Sequence, residues 1–306
     1  MRLDVDFRQP NDENWNNPDV QDVLKEIDPL QLMDRITHFR KLNISRMTDQ
    51  EILDAIINVL CVNNYFCCYS NIRVYPQGTK FFRVKRFKGH TLLDPRFIIY
   101  ADYWETDPKY LTQYGRLNKP HESLLYTAPD LFCAVDEVKI QENEYFAAIQ
   151  YTALSPVKVN MIGGEIDYKL NGATDKQAIL VHEIYNSFLR DEFSRDVGKG
   201  TEYLYKTSEI IAKTFFDLPP REVQDAWAYS SVQNKEKYNV CFRPEIAHDI
   251  LRLDGALICR RNTDNQVEVV CVAIGANEKG DITFYPLGSE PQQTVFPELK
   301  MHQDMT

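Results

Sequence analysis

Three separated segments of the sequence each set a polar or charged side chain within an apolar or aromatic run. The first, FFRVKRF, contains Arg83; the second, SLLYTAPDLFCAVDEV, contains Tyr126 and Glu137; the third, AWAYSSVQ, contains Ser230 and Ser231. Guanidinium groups bind phosphate oxygens through charge-assisted hydrogen bonds, and carboxylates accept hydrogen bonds from sugar hydroxyls. Side chains of these types, set in apolar surroundings, could bind a ligand that carries phosphate and sugar groups.

Common catalytic signatures are absent from the sequence, which has no P-loop, Gly-x-Gly-x-x-Gly, Gly-x-Ser-x-Gly or His-Glu-x-x-His. The seven cysteines include no Cys-x-x-Cys, and the six histidines form no ligand-spaced cluster with them. No metal site is therefore predicted, and the cysteines are expected to be reduced residues that fill the core.

The charge balance restricts the class of partner. Lysine and arginine total 35 against 45 aspartate and glutamate residues, a net charge of −10. Such a surface repels nucleic acid and anionic membranes, so neither is expected as a partner. No apolar run approaches the ~20 residues of a membrane span, and the polar N-terminus is unlike a secretory signal. We predict a cytoplasmic protein.

The elements that position these residues fall into a helical part and a strand-rich part. Thr48 and Glu51 form a predicted capping box before an apolar helical face that starts at Ile52, and helices are expected over roughly residues 20–68. Later helices are predicted from a Thr174–Gln177 capping box and over Tyr203–Phe216. The predicted strands are TKFFRVKRF, SLLYTA, YFAAIQYTAL, AWAYSSV, NVCFRP, LDGALICRR, VEVVCVAIGA and DITFYPL. The predicted class is α+β, with antiparallel sheets and segregated helices.

Together with Arg83, five blocks of the sequence resemble the RES family, which is named for its Arg, Glu and Ser. In chain order they are Gly115–Asn118, Leu125–Ala128, Cys133–Glu137, Tyr205–Ala212 and Tyr229–Ser231. They are similar to the family's Gly-Arg-x-Asn, Leu-Tyr-x-Ala and Ala-x-x-Glu blocks, the helix before the last motif, and Tyr-Pro-Ser. The resemblance covers roughly residues 80–243. A serine stands where the family has proline, so either serine of the last block is a candidate for the family serine.

The resemblance implies a fold similar to that of ADP-ribosyltransferases, with an antiparallel sheet core, and NAD as the substrate. Family members split the bond between nicotinamide and ribose, and some use inorganic phosphate as the acceptor. Many are toxins that a partner antitoxin restrains. No cofactor is implied, because NAD is consumed as a substrate.

The resemblance also implies roles for single residues. Arg83, Glu137 and Ser231 are the expected catalytic residues: the guanidinium grips the diphosphate, the carboxylate binds a ribose hydroxyl and favours the developing cation, and the serine places the ribose or the acceptor. Such hydrogen bonds contribute about 1.5–3 kcal/mol each, which is too little to account alone for the rate acceleration of an enzyme. Positioning of the substrate and electrostatic stabilisation must supply the rest.

The remaining expected site residues bind substrate. They are Gly115, Arg116, Asn118, Tyr126 and Ser230. In this interpretation the turn residues bind phosphate, and the tyrosine offers a flat face for stacking and a hydroxyl for orientation. Ordinary roles, as solvated charges, core packing or turn formation, stay open for each of these side chains.

We predict an N-terminal helical region over residues 1–72, a RES-like catalytic domain over 73–258, and a C-terminal β extension over 259–306 packed on that domain. The predicted function is NAD degradation by a phosphorylase or glycohydrolase, as a toxin of a toxin–antitoxin or defence system. Two alternatives are an ADP-ribosyltransferase that modifies a macromolecule and an inactive module that binds NAD or ADP-ribose.

Overall fold

The computed structural model describes residues 18–62, 65–66, 68, 71–87, 99–168, 173–217, 223–233, 236–264, 266–276 and 280–300. Within them the helices are α1 (Pro18–Lys25), α2 (Pro29–Arg40), α3 (Asp49–Leu60), α4 (Leu131–Glu137), α5 (Lys176–Ser194), α6 (Tyr205–Phe215), α7 (Pro244–Ile250) and α8 (Glu290–Val295). The strands are β1 (Cys61–Val62), β2 (Tyr65–Phe66), β3 (Ile72–Tyr75), β4 (Lys80–Arg86), β5 (Leu125–Thr127), β6 (Tyr145–Ala153), β7 (Val157–Ile162), β8 (Ala226–Ser230), β9 (Tyr238–Phe242), β10 (Leu251–Arg261), β11 (Val267–Ala276) and β12 (Ile282–Pro286). The predicted α+β class is confirmed.

Helix α3 begins at the predicted capping box. The Thr48 hydroxyl accepts a hydrogen bond from the Glu51 amide at 3.2 Å, and the Glu51 carboxylate accepts one from the Thr48 amide at 2.8 Å. Ile52, Ile56 and Val59 are fully buried on one face of the helix. The local sequence therefore fixes both the start of α3 and the face that packs inward.

Helix α5 begins one residue later than the predicted capping box implies. The N-cap is Asp175 and not Thr174, because the Asp175 carboxylate accepts hydrogen bonds from the amides of Gln177 (3.0 Å) and Ala178 (2.9 Å). Aspartate caps a helix at least as well as threonine. The predicted start was therefore wrong by one position.

The chain divides into two compact units, and each contains several stretches of sequence. Unit 1 comprises residues 1–74, 108–122 and 158–235; unit 2 comprises residues 75–107, 123–157 and 236–306. This division differs from the three consecutive regions expected from the sequence. Strand β10 also runs without a break through the boundary predicted at residues 258 and 259.

Unit 1 contains the N-terminal helices, α5, α6 and the neighbouring strands β3, β7 and β8. Strands β7 and β8 pair in parallel, with Asn160 opposite Trp227. The Trp227 indole and the Asn160 amide both donate to the Phe216 carbonyl, at 2.9 and 3.2 Å, and so join the sheet to the end of α6. Parallel neighbours need a long crossover, which α5 and α6 supply here. This pair is an exception to the antiparallel sheets expected from the sequence.

Unit 2 is built on a five-stranded antiparallel sheet in the order β12-β11-β10-β6-β4. Strand β5 pairs with β9, and a bridge between Phe82 and Ala128 joins the end of β5 to β4. Because β11 and β12 continue the sheet outward from β10, the C-terminal residues of the described chain belong to the same layer as Arg83 on β4.

No helix among the described residues is long and apolar enough to cross a lipid bilayer. Their cysteines form no disulfide, and Cys67 lies outside the described residues. The predicted turn at residues 277–280 also lies mostly outside them.

Candidate functional site

Arg83 extends from the middle of β4 and holds the loop that follows the 3₁₀ turn Tyr100–Tyr103. Its guanidinium donates hydrogen bonds to the Trp104 carbonyl and, at 3.0 Å, to the Thr106 hydroxyl. The side chain is half-buried. Burial lowers the pKa of Arg83, while Tyr151 and Glu105 act in the opposite direction. The guanidinium therefore anchors a loop in this structure.

Glu137 is the last residue of α4, and the structure does not bring it to Arg83. Helix α4 packs on β4 through an apolar cluster that includes Val84, Cys133 and Ala134. Successive side chains of a strand point to opposite faces, so Arg83 leaves β4 on the side away from α4. Glu137 is half-buried and lies one helical turn after the buried Cys133, on the same face of the helix.

Tyr126 occupies the middle of β5. Leu125 and Thr127 on either side of it are buried, whereas Tyr126 is half-buried on the opposite face and pairs in register with Cys241 of β9. The Thr127 hydroxyl donates to the Val240 carbonyl at 2.9 Å. The strand thus presents one aromatic side chain, and its role in stacking stays a prediction.

Arg116 lies in unit 1 and joins the predicted turn to α5, α6 and β8. Its guanidinium donates to the carbonyls of Phe193 and Arg195 (3.2 Å) and to the Tyr205 hydroxyl (3.4 Å). It lies 4.9 Å from the centre of the Tyr205 ring and 5.6 Å from that of Tyr229. A cation at the carboxyl end of α5 is favoured by the helix dipole, and two aromatic faces add cation–π attraction.

The turn around Arg116 is itself hydrogen-bonded and buried. The Gly115 amide donates to the Asn118 carbonyl at 2.9 Å, and the Ser208 hydroxyl of α6 donates to the Arg116 carbonyl at 2.7 Å. The Asn118 amide group donates to the Lys119 carbonyl at 3.0 Å, and Asn118 is 4% exposed. In the structure, Arg116 and Asn118 are therefore engaged with the protein itself.

Ser230 and Ser231 are both buried at the end of β8. Tyr229 points toward Arg116, so alternation along the strand places Ser230 on the opposite face. Ser231 follows the end of the strand, where its hydroxyl accepts a hydrogen bond from the Gln233 amide at 3.2 Å. Unit 1 therefore brings the Gly115–Asn118 turn and the Tyr229–Ser231 segment together, although they are far apart in the sequence.

Helix α6 contains a buried carboxyl group to which no sequence pattern gave a role. Glu209 is 2% exposed, and burial raises its pKa to about 7, while Lys119 nearby opposes this shift. The Lys119 ammonium lies 3.9 Å from the Glu209 carboxylate. The structure buries the whole run from Thr207 to Ala212, which leaves the glutamate no solvated face.

A second group that the sequence did not indicate lies beside Arg83 in unit 2. The ring of His248, on α7, stacks on Trp104 with centroids 4.2 Å apart, and its Nε2 lies 3.0 Å from Glu105 Oε2. Strand β4, the loop after Tyr103 and α7 are distant in sequence. No local pattern could therefore have predicted this cluster.

Unit 2 also contains a groove of about 490 Å³ that none of the predicted site residues lines. Asp254 lies in it at a β-bulge, and its carboxylate accepts hydrogen bonds from Gln150 (3.0 Å), Thr152 (2.5 Å) and Arg252 (2.9 Å). The Asp254 carboxylate in this groove is therefore already engaged by side chains of the protein.

Among the described residues, no group of three or more histidine, cysteine, aspartate or glutamate side chains is arranged to hold a metal ion. No model of a known protein family matches the chain, and a search of curated proteins finds no similar sequence.

Proposed function

We propose that the protein degrades NAD by cleaving the bond between nicotinamide and ribose, as a phosphorylase or glycohydrolase with an ADP-ribosyltransferase-like fold. The observation that carries this proposal is the contact between Arg116 and Tyr229 in unit 1. It joins two blocks that the sequence resemblance assigns to one site. Arg116, Asn118, Ser230 and Ser231, which the resemblance assigns to the same site, are all buried in unit 1.

The chemistry requires little covalent participation by the protein. The carbon–nitrogen bond to the pyridinium breaks, its electron pair leaves with neutral nicotinamide, and the ribose gains oxocarbenium character. Water or phosphate then adds to the same carbon, giving ADP-ribose and a proton, or ADP-ribose carrying a phosphate at that carbon. The resemblance assigns the stabilisation of this cation and the binding of a ribose hydroxyl to a carboxylate, Glu137, and the placement of the ribose or the acceptor to a hydroxyl, Ser231.

Two arginines are candidates for binding the diphosphate. Arg83 anchors the loop that follows Tyr103, and Arg116 caps α5 between two tyrosine rings. A guanidinium has five donors, so each retains capacity for phosphate oxygens. The turn that contains Gly115, Arg116 and Asn118 is the first candidate. Arg83 is the second, because it leaves β4 on the side away from α4 and Glu137.

An enzyme that depletes NAD is toxic to the cell that makes it. We therefore propose a toxin that a regulatory partner, such as an antitoxin protein, restrains. Expression of wild-type protein should arrest growth, and Glu137→Gln should relieve the arrest. Equal toxicity of the two proteins would contradict this part of the proposal.

The direct test is to incubate purified protein with NAD, with and without phosphate, and to identify the products by mass spectrometry. Nicotinamide with ADP-ribose indicates a glycohydrolase, and nicotinamide with phosphorylated ADP-ribose indicates a phosphorylase. Labelled ADP-ribose on protein from an extract would favour a transferase instead. Binding of NAD by calorimetry without release of nicotinamide would favour an inactive module.

A further inference from the structure

A carboxyl group is buried on α6 directly behind the Gly115–Asn118 turn. Glu209 Oε2 has no hydrogen-bond partner among the described residues. The preceding residue, Ser208, donates to the Arg116 carbonyl at 2.7 Å, so α6 and the turn are in contact here. Carboxylates are almost never fully buried unless they are paired. Packing alone therefore does not account for a glutamate at this position.

The charged groups that face Glu209 come from three elements of unit 1. They are Lys119 and Glu122 in the loop after the turn, Asp49 at the start of α3, and Lys213 on α6 itself. The Lys119 ammonium lies between two carboxylates, 3.9 Å from Glu209 Oε2 and 3.7 Å from Asp49 Oδ2. Asp49 also pairs with Lys206 of α6 at 3.3 Å. Lys119 can thus be held by α6, by α3 or by both.

We propose that Glu209 is a positioning residue for the Gly115–Asn118 turn and acts through Lys119. In its ionised form the carboxylate attracts Lys119 and holds the turn against α6. In its protonated form the carboxyl group no longer attracts Lys119, which then pairs with Asp49 alone. The turn is then held less firmly against α6. The inference rests on the proposed function, in which Arg116 and Asn118 of this turn bind the phosphates of NAD.

The sign of the pH response follows from burial. The pKa of Glu209 is about 7 in the folded protein, against an ordinary value of 4.5. The folded state therefore binds the proton more tightly, and stability is lost as the pH rises from 4.5 through about 7. Over the same range the carboxylate forms and NAD binding tightens. Stability and NAD affinity should thus change in opposite directions.

The test compares wild type with Glu209→Gln at pH 6, 7 and 8. The two readouts are the urea midpoint of unfolding and the KM for NAD. In wild type the KM should fall about fivefold from pH 6 to pH 8, the effect of one weak ion pair, while the urea midpoint also falls. In Glu209→Gln the KM should stay at the value that wild type has at pH 6, and the midpoint at pH 8 should exceed that of wild type.

Glu202→Gln is the matched control, because Glu202 is a carboxylate just before α6 that accepts a hydrogen bond from the Gly200 amide at 2.8 Å. It should behave as wild type in both readouts. Lys119→Met should remove the pH dependence of KM and retain that of the urea midpoint. A KM that follows the wild-type curve in Glu209→Gln or in Lys119→Met would overturn the inference.

Hydrogen exchange separates this inference from the proposed function. After correction for the intrinsic pH dependence, the amides of the Gly115–Asn118 turn should be better protected at pH 8 than at pH 6 in wild type but not in Glu209→Gln. If wild type leaves NAD intact yet shows this difference, the proposed function fails and the positioning role stands. Equal protection at both pH values would overturn the positioning role.

Discussion

Replacing Arg83 by methionine removes the anchor of the loop that contains Trp104 and Thr106 while keeping most of the apolar stem. Two hydrogen bonds from a charged donor are lost, one to the Trp104 carbonyl and one to the Thr106 hydroxyl. Each contributes about 1.5–3 kcal/mol, and the half-buried position favours the lower end. We therefore expect Arg83→Met to lower the free energy of unfolding by about 3 kcal/mol.

The assay is urea unfolding followed by circular dichroism. Arg86→Met is the matched control, because Arg86 donates to the Val138 carbonyl (2.9 Å) from the opposite face of β4 but has an exposed side chain. Its replacement should cost about 1 kcal/mol or less. If Arg83→Met unfolds as wild type does, the loop is not anchored in this way. If that variant also loses NAD cleavage, Arg83 binds the substrate and does not stabilise the fold.

Three further substitutions test other parts of the structure. Thr48→Ala removes the hydroxyl that caps the Glu51 amide and should lower the free energy of unfolding by about 1 kcal/mol in urea. Gly255→Ala places a Cβ 2.5 Å from the Ala273 carbonyl at a φ of +147°, so we expect a loss of about 3 kcal/mol and a lower melting temperature. Glu209→Gln should raise the free energy of unfolding by about 3 kcal/mol at pH 8 and leave it unchanged at pH 4, because burial raises the pKa of the Glu209 carboxyl group from 4.5 to about 7. Equal effects at the two pH values would contradict the burial argument.

Features set by local chemistry could be predicted from the sequence. The capping box at Thr48, the apolar face of α3 and the strand character of β5 and β8–β12 depend on neighbouring residues, and the structure confirms them. Helix α6 was expected over Tyr203–Phe216 and covers Tyr205–Phe215, because a 3₁₀ turn occupies Glu202–Leu204. Strand β7 was missed, and with it the parallel pairing to β8.

Features that depend on distant pairings could not be predicted. The sequence placed Arg83 and Glu137 in one site, but it does not say that α4 packs on the Val84 face of β4 and so leaves Arg83 on the other. The contact of Arg116 with Tyr229 likewise depends on how β8 and the turn meet in unit 1. The chain also alternates between the two units, so each unit combines three stretches that are distant in sequence.

The most direct test of the proposed function is the fate of NAD with purified protein. Wild type should release nicotinamide, and Glu137→Gln, which keeps the size of the half-buried side chain and removes its charge, should slow the release by at least about a hundredfold. Intact NAD in every reaction, with and without phosphate, would contradict the proposal.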